Sequence, residues 1–260
     1  MQYFVICAVA ILVSALTLFS GFGLGTILMP AFALFFPVPI AIAATALVHL
    51  SNNIFKVFLV GRLADWGVVV RFALPAAAAA ILGAALLSLF ADLPPLHRYD
   101  LGARLHQVTV VKLVIGLLIV VFALLELLPA VQRLAFPRKY LPWGGLLSGF
   151  FGGLSGNQGA LRSAFLIKTG LEKEAFIGTG TVSSVIVDFA RLVVYGLSFY
   201  GAQFAGIPEV RGLVLAAILA AFVGAFIGAR LVKKITFRAL QIMVAVMLVL
   251  VGSAMATGLI

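Results

Sequence analysis

Charge is scarce in this chain. Asp, Glu, Lys and Arg make up 10% of its 260 residues, against roughly 25% in soluble domains. Hydrophobic residues make up 64%, and the mean hydropathy is +1.24. A fold in water could not cover that much apolar surface. Acidic residues are scarcest, so the net charge is +10. The excess does not describe a nucleic-acid binder, which needs a basic face on a soluble fold. Lys and Arg stand singly or in short groups between apolar runs, as in membrane-flanking loops. Cysteine is nearly absent. Cys7 alone can form neither an internal disulfide nor a thiolate metal site, and it reads as a small apolar residue.

What remains is a series of apolar runs. A spanning helix needs about 20 mostly apolar residues, and eight runs meet or approach that length: 3–20, 39–60, 67–90, 110–128, 140–156, 174–199, 209–231 and 238–258. The expected fold is therefore all-α and integral to the membrane. Residues 91–109 form the longest polar loop, Pro129 to Pro142 joins two halves, and Lys233-Lys234 caps the seventh run. Two pieces, 26–36 and 160–169, are too short to span and follow glycine-rich breaks. Such pieces read as re-entrant or half-membrane segments. Eight crossings would put Lys56, Arg62, Arg71, Arg133, Arg138, Lys139 and Arg211 on one side. Arg98, Arg104, Lys112, Arg230, Lys233, Lys234 and Arg238 would fall on the other. That even division leaves the orientation open.

The halves 1–130 and 131–260 resemble each other. Ser20-Gly21-Phe22-Gly23-Leu24-Gly25 aligns with Ser148-Gly149-Phe150 and the Gly152-Gly153 run. Each is followed by a short apolar piece and then a long helix bearing an early threonine, Thr45 or Thr179. Asn53 and Asp188 stand three residues before the bases Lys56 and Arg191. The expectation is two homologous four-helix repeats, each with a short glycine-initiated broken segment, a recognised transporter layout. The unpaired N–H groups at a half-helix start favour an anion. Gly83, Gly116, Gly224 and Gly228 read instead as close-packing positions.

At these residues the chain resembles the TauE/SafE family of sulfite exporters and toluene sulfonate uptake permeases. Gly21–Pro30 and Gly149–Leu166 followed by Lys173-Glu174-Ala175 carry the resemblance, and it covers nearly the whole chain. It implies a multi-pass carrier of the bacterial inner membrane for sulfite, a sulfonate or a similar anion. An anion channel, and a membrane subunit without transport activity, are the alternatives. The expected partners are the small anion, the bilayer, protons as coupling ion and a further copy of the chain.

Ionisable groups inside spans are costly and mark function. Asp188 and Arg191, at i and i+3, can pair, and Arg191 can offer a planar fork to an oxyanion. His49 is the candidate proton-coupling group. The substrate-binding set is Gly23, Gly25, Thr26, Thr45, Asn52, Asn53, Asn157, Gln158, Arg162, Thr179, Ser183 and Arg191, with His49 and Asp188 as coupling or support. Lys56 lies near a helix end and reads as interfacial. Gly153-Leu154-Ser155-Gly156 matches the G-x-S-G of rhomboid-type proteases, where a serine needs a base. In those proteases the histidine follows the serine, and no histidine follows residue 106 here. Neither H-E-x-x-H nor a P-loop occurs. No enzyme, metal site or cofactor is expected.

Overall fold

A computed structural model describes residues 1–20, 24–102, 104–197, 208–231 and 237–260. Gly21 to Gly23 and Lys233-Lys234 lie outside the described residues. The helices are α1 (Gln2–Ser20), α2 (Leu24–Ala33), α3 (Val38–Val60), α4 (Trp66–Ala91), α5 (Val110–Leu127), α6 (Pro129–Gln132), α7 (Leu141–Ser155), α8 (Gly159–Leu166), α9 (Lys173–Leu197), α10 (Pro208–Leu231) and α11 (Phe237–Ala256). Among the described residues, four helical segments are long and apolar enough to cross a membrane: Val38–Leu63, Trp66–Ala91, Lys173–Leu197 and Glu209–Gly228. Shorter apolar helices cover Gln2–Ala15, Val110–Leu125 and Ala245–Ala256.

The polar loop after α4 holds a hairpin. Strands β1 (His97–Leu101) and β2 (Arg104–Val108) pair antiparallel, with His97 opposite Val108. Gly102, at φ 64°, supplies the left-handed turn. The hairpin is tied to the end of α11: the Tyr99 hydroxyl donates to the Thr257 carbonyl at 2.7 Å.

Surface and interior are inverted relative to a soluble protein. Phe58, Leu82, Leu219 and Leu250 are more than 60% exposed, while Asn52, Asp188 and Arg191 are almost wholly buried. An outside of this kind suits lipid.

Close helix packing rests on glycine. A Cβ at Gly145, Gly149 or Gly153 would stand 2.0–2.2 Å from the carbonyl oxygens of Phe72, Ala76 and Ala80 in α4. Gly83 returns the favour, lying against the Phe150 carbonyl in α7. Gly224 and Gly228 on α10 lie in the same way against Ile11 and Ala15 of α1. Gly116 and Gly252 face each other's carbonyls where α5 crosses α11. Small residues let backbones approach so that dispersion acts along the whole contact, which drives association where lipid removes the hydrophobic drive.

These contacts also fix directions. On α4 and α7 the paired residues advance together, so the two helices run parallel, as do α1 and α10. On α3 and α9 they advance oppositely: Gly178 packs on Val60, and Asp188 reaches His49. α5 and α11 are antiparallel as well, with Gln107 beside Gly258 and Gly116 beside Gly252. α8 turns back along α7. Gly156 ends α7 in the left-handed conformation at φ 82°. Farther along, the Phe136 amide donates to the Ala164 carbonyl at 3.1 Å and Gly144 packs on Phe165. Thus 140–156, read as a crossing, forms one arm of a helical hairpin with α8. At 15 residues, α7 reaches about 22 Å, short of a hydrocarbon core of about 30 Å.

α4 starts on a side-chain cap. The Asp65 carboxylate accepts from the Val68 amide at 3.0 Å and lies 3.4 Å from Arg138. Asp65→Ala is expected to cost about 1 kcal/mol, read as a lower unfolding midpoint in detergent.

Candidate functional site

The site forms where α3 and α9 cross beside the α7–α8 break. On α3, Thr45, His49, Asn52, Asn53 and Lys56 recur at helical spacing and share a face. On α9, Ser184, Asp188, Arg191 and Tyr195 do the same. Antiparallel packing brings the two polar faces together inside an apolar shell.

Asp188 is the hub. Its Oδ2 lies 2.6 Å from His49 Nδ1 and accepts from Asn53 Nδ2 at 3.2 Å. Its Oδ1 accepts from Gln158 Nε2 at 3.4 Å and lies 2.8 Å from Arg191 Nη2. His49 Nδ1 also lies 3.1 Å from Asn53 Nδ2, so the three side chains form one cluster. Side chains from α3, α9 and the α7–α8 break are thereby held on one carboxylate.

Arg191 also terminates α7. Its Nη1 donates to the Gly152 carbonyl at 3.1 Å, and the Tyr195 hydroxyl donates to the Gly153 carbonyl. The last carbonyls of a helix lack partners and carry its negative dipole end. The Gly152 carbonyl already accepts from the Gly156 amide at 3.0 Å, so the buried guanidinium adds a second bond and answers the dipole, while Tyr195 supplies a donor to the Gly153 carbonyl. Nη2 meets Asp188 by distance but not in hydrogen-bond geometry, and Nε has no partner. The fork expected to face an anion is thus partly committed to holding α7. The Ser155 hydroxyl is similarly turned inward, donating to the Phe151 carbonyl at 3.0 Å.

The break itself is polar and buried. Asn157 is 5% exposed, and neither its Nδ2 nor its Oδ1 has a partner. An unpartnered buried amide costs about 1–3 kcal/mol, so a group that completes it is worth binding. Arg162, in the first turn of α8, donates from Nη1 to the Ser184 hydroxyl. Lys56 lies within electrostatic reach of Arg162. The start of α2 adjoins the same place: Gly25 lies next to the Gly156 carbonyl and His49 Cδ2. Two helix starts therefore approach the break. Among the described residues, the buried charges are Lys56, Arg162 and Arg191 against one carboxylate, Asp188.

The remaining sequence-predicted residues divide clearly. Gly25, His49, Asn53, Asn157, Gln158, Arg162, Asp188 and Arg191 come together. Thr45 and Asn52 are buried on the same face of α3 and keep Thr45 Oγ1 and Asn52 Nδ2 unpartnered. Asn52 Oδ1 accepts from Ser14 at 3.1 Å. Thr179 does not join: its hydroxyl accepts from the Asp65 amide at 2.9 Å, about 13 Å along α9 from Asp188. The Ser183 hydroxyl donates to the Thr179 carbonyl within its own helix. Gly23 and the side chain of Thr26 lie outside the described residues. Lys56 is 6% exposed, enclosed by protein rather than reaching lipid or solvent; it shares the face of Asn52 and Asn53 on α3. Tyr195 gives no such signal in the sequence, since its partner lies on another segment.

A lipid-facing helical protein with paired helix starts around a buried cation-rich cluster has the organisation of a membrane transporter. The chain matches the family model of the sulfite exporter TauE/SafE over residues 6–255, and it belongs to that family. The resemblance carried by Gly21–Pro30 and Gly149–Leu166 is thus borne out. The family comprises membrane transporters rather than enzymes. Neither a curated protein nor a solved structure matches the chain.

Proposed function

We propose that the protein is a secondary carrier that moves a small anion across the bacterial inner membrane by alternating access. The expected cargo is a sulfur oxyanion such as sulfite, or an organosulfonate. One observation carries this reading: the starts of α2 and α8 adjoin a buried cluster holding three cations and one carboxylate, with Asn157 unpartnered at its edge. Among the described residues the buried cations outnumber the buried carboxylates three to one, and burying charge of one sign is costly. An oxyanion would supply the missing charge and accept from the helix-start amides.

Residues 1–130 and 131–260 would be the two repeats. Equivalent helices run antiparallel, α3 against α9 and α5 against α11, which supports an inverted rather than a parallel relation. Exchanging the halves also exchanges the packing pairs, α1 with α10 for α7 with α4. His49, in contact with Asp188, is the group through which a proton would be coupled to the anion.

Uptake of labelled sulfite, sulfate and sulfonates into proteoliposomes tests the reading. Saturable uptake with counterflow is expected, and no flux of any of these would sink it. Lys56→Ala and Arg162→Ala are each expected to weaken anion binding by about 10- to 100-fold, the loss of one charged hydrogen bond. Wild-type affinity in both folded variants would remove the start of α8 from the site. Transport indifferent to an imposed pH gradient would dispose of His49 as a proton carrier.

A further inference from the structure

The direction of each helix fixes which loops share a face of the molecule, and this redistributes the positive charge. One face gathers around the α3–α4 turn. Asp65 pairs there with Arg138 just before α7. Ala164 in α8 bonds Phe136 beside them, so the α7–α8 hairpin begins and ends on this face. The start of α9 is there too, since Gly178 packs on Val60 and Ala64.

The opposite face gathers around β1–β2. Tyr99 and Gln107 meet Thr257 and Gly258 at the end of α11. α1 and α10 begin on one face, because Tyr3 meets Gly212. α2 starts beside His49 in the middle of α3 and ends at Ala33, just ahead of the start of α3. The α1–α2 pair therefore returns towards the face from which α3 departs, as α8 does in the second half.

Lys and Arg divide unevenly between these faces. The α3–α4 face holds Arg62, Arg71, Arg133, Arg138, Lys139, Lys168 and Lys173. Arg230, at the end of α10, and Arg238, at the start of α11, belong to it by helix direction. Among the described residues, the hairpin face holds Arg98, Arg104, Lys112 and Arg211. Trp66 and Trp143, 62% and 64% exposed at the starts of α4 and α7, ring the basic face, as aromatic side chains do at a headgroup boundary.

We infer that the α3–α4 face is cytoplasmic and the β1–β2 hairpin lies outside, with α3, α4, α5, α9, α10 and α11 crossing and the α1–α2 and α7–α8 pairs re-entering. Lys and Arg in short loops near helix ends are retained on the cytoplasmic side. Eight crossings divide the charge evenly only if α7 is a full span, which reverses every later loop. The inference depends on the helical membrane class and the helix directions, and not on the cargo.

Single cysteines placed in a Cys7→Ser background test it. Asp100→Cys, in the β hairpin, is expected to react with a membrane-impermeant maleimide on intact bacterial cells. Leu134→Cys and Glu172→Cys, before and after the α7–α8 pair, are expected to react only after permeabilisation. Labelling of Leu134→Cys and Glu172→Cys from opposite sides would make α7–α8 a crossing and overturn the inference. Labelling of both on intact cells would reverse the orientation and overturn it equally. Alkaline phosphatase joined after Ile260 provides a readout without any cysteine variant: activity is expected, and an inactive fusion of normal abundance would contradict the assignment.

Discussion

Asp188→Ala is expected to remove most of the folded protein from the membrane. The carboxylate is fully buried and meets His49, Asn53, Gln158 and Arg191. Its loss would leave Arg191 buried without a counter-charge, and breaking one partner of a buried pair costs about 3–5 kcal/mol. That is a large share of a typical total stability of about 5–15 kcal/mol. Arg191 would still be called on to end α7 at Gly152, so the damage would spread to the break. The measurement is the monodisperse fraction after detergent extraction, with the unfolding midpoint of what survives. Asp188→Asn with Arg191→Gln removes both charges and should recover part of the loss. A single Asp188→Ala variant as abundant and stable as the parent would show that the hub is dispensable.

The second large effect concerns glycine. Gly149→Leu is expected to separate α4 from α7 and abolish the native fold. A Cβ there would lie 2.0 Å from the Ala76 carbonyl oxygen, and the atom in the way is backbone, which cannot turn aside. Gly149→Ala should already cost several kcal/mol, beyond the usual about 1–3 for overpacking, because the whole helix must move. Among the described residues, nothing lies within 4 Å of a would-be Cβ at Gly196, near the end of α9. Gly196→Ala is expected to be neutral or to stabilise by up to about 1 kcal/mol through helix propensity. Equal unfolding midpoints for Gly149→Ala and Gly196→Ala would refute the packing account.

The helices were readable because an apolar run of spanning length has few other uses. Read as 39–60 and 67–90, the second and third runs appear as Val38–Val60 and Trp66–Ala91. Less legible was anything set by contact between distant segments. The spacing of Asp188 and Arg191 reveals their ion pair, but nothing nearby announces that Arg191 also binds a carbonyl at Gly152. Lys56 lies close to a helix end in sequence, yet it is buried in the fold. Thr179 looked like the counterpart of Thr45, but its hydroxyl is spent on the Asp65 amide. The β1–β2 hairpin was obscured by its polarity, since charged and aromatic residues alternate there without an apolar face. The turn after α7 was hardest to read, because 140–156 is largely apolar and only its partner α8 shows that the chain turns back.

The antiparallel crossing of α3 and α9 has a consequence for motion. If the halves are inverted copies, each holds a shape that the other can adopt. Threading residues 1–130 through the backbone path of 131–260, and the reverse, draws a second conformer that opens towards the opposite compartment. The differences between the two glycine breaks are then a map of what must move. Asp188 and Asn53, bonded at the crossing, would lie near the fulcrum and shift least, while Thr179, about 13 Å along α9, would travel farther.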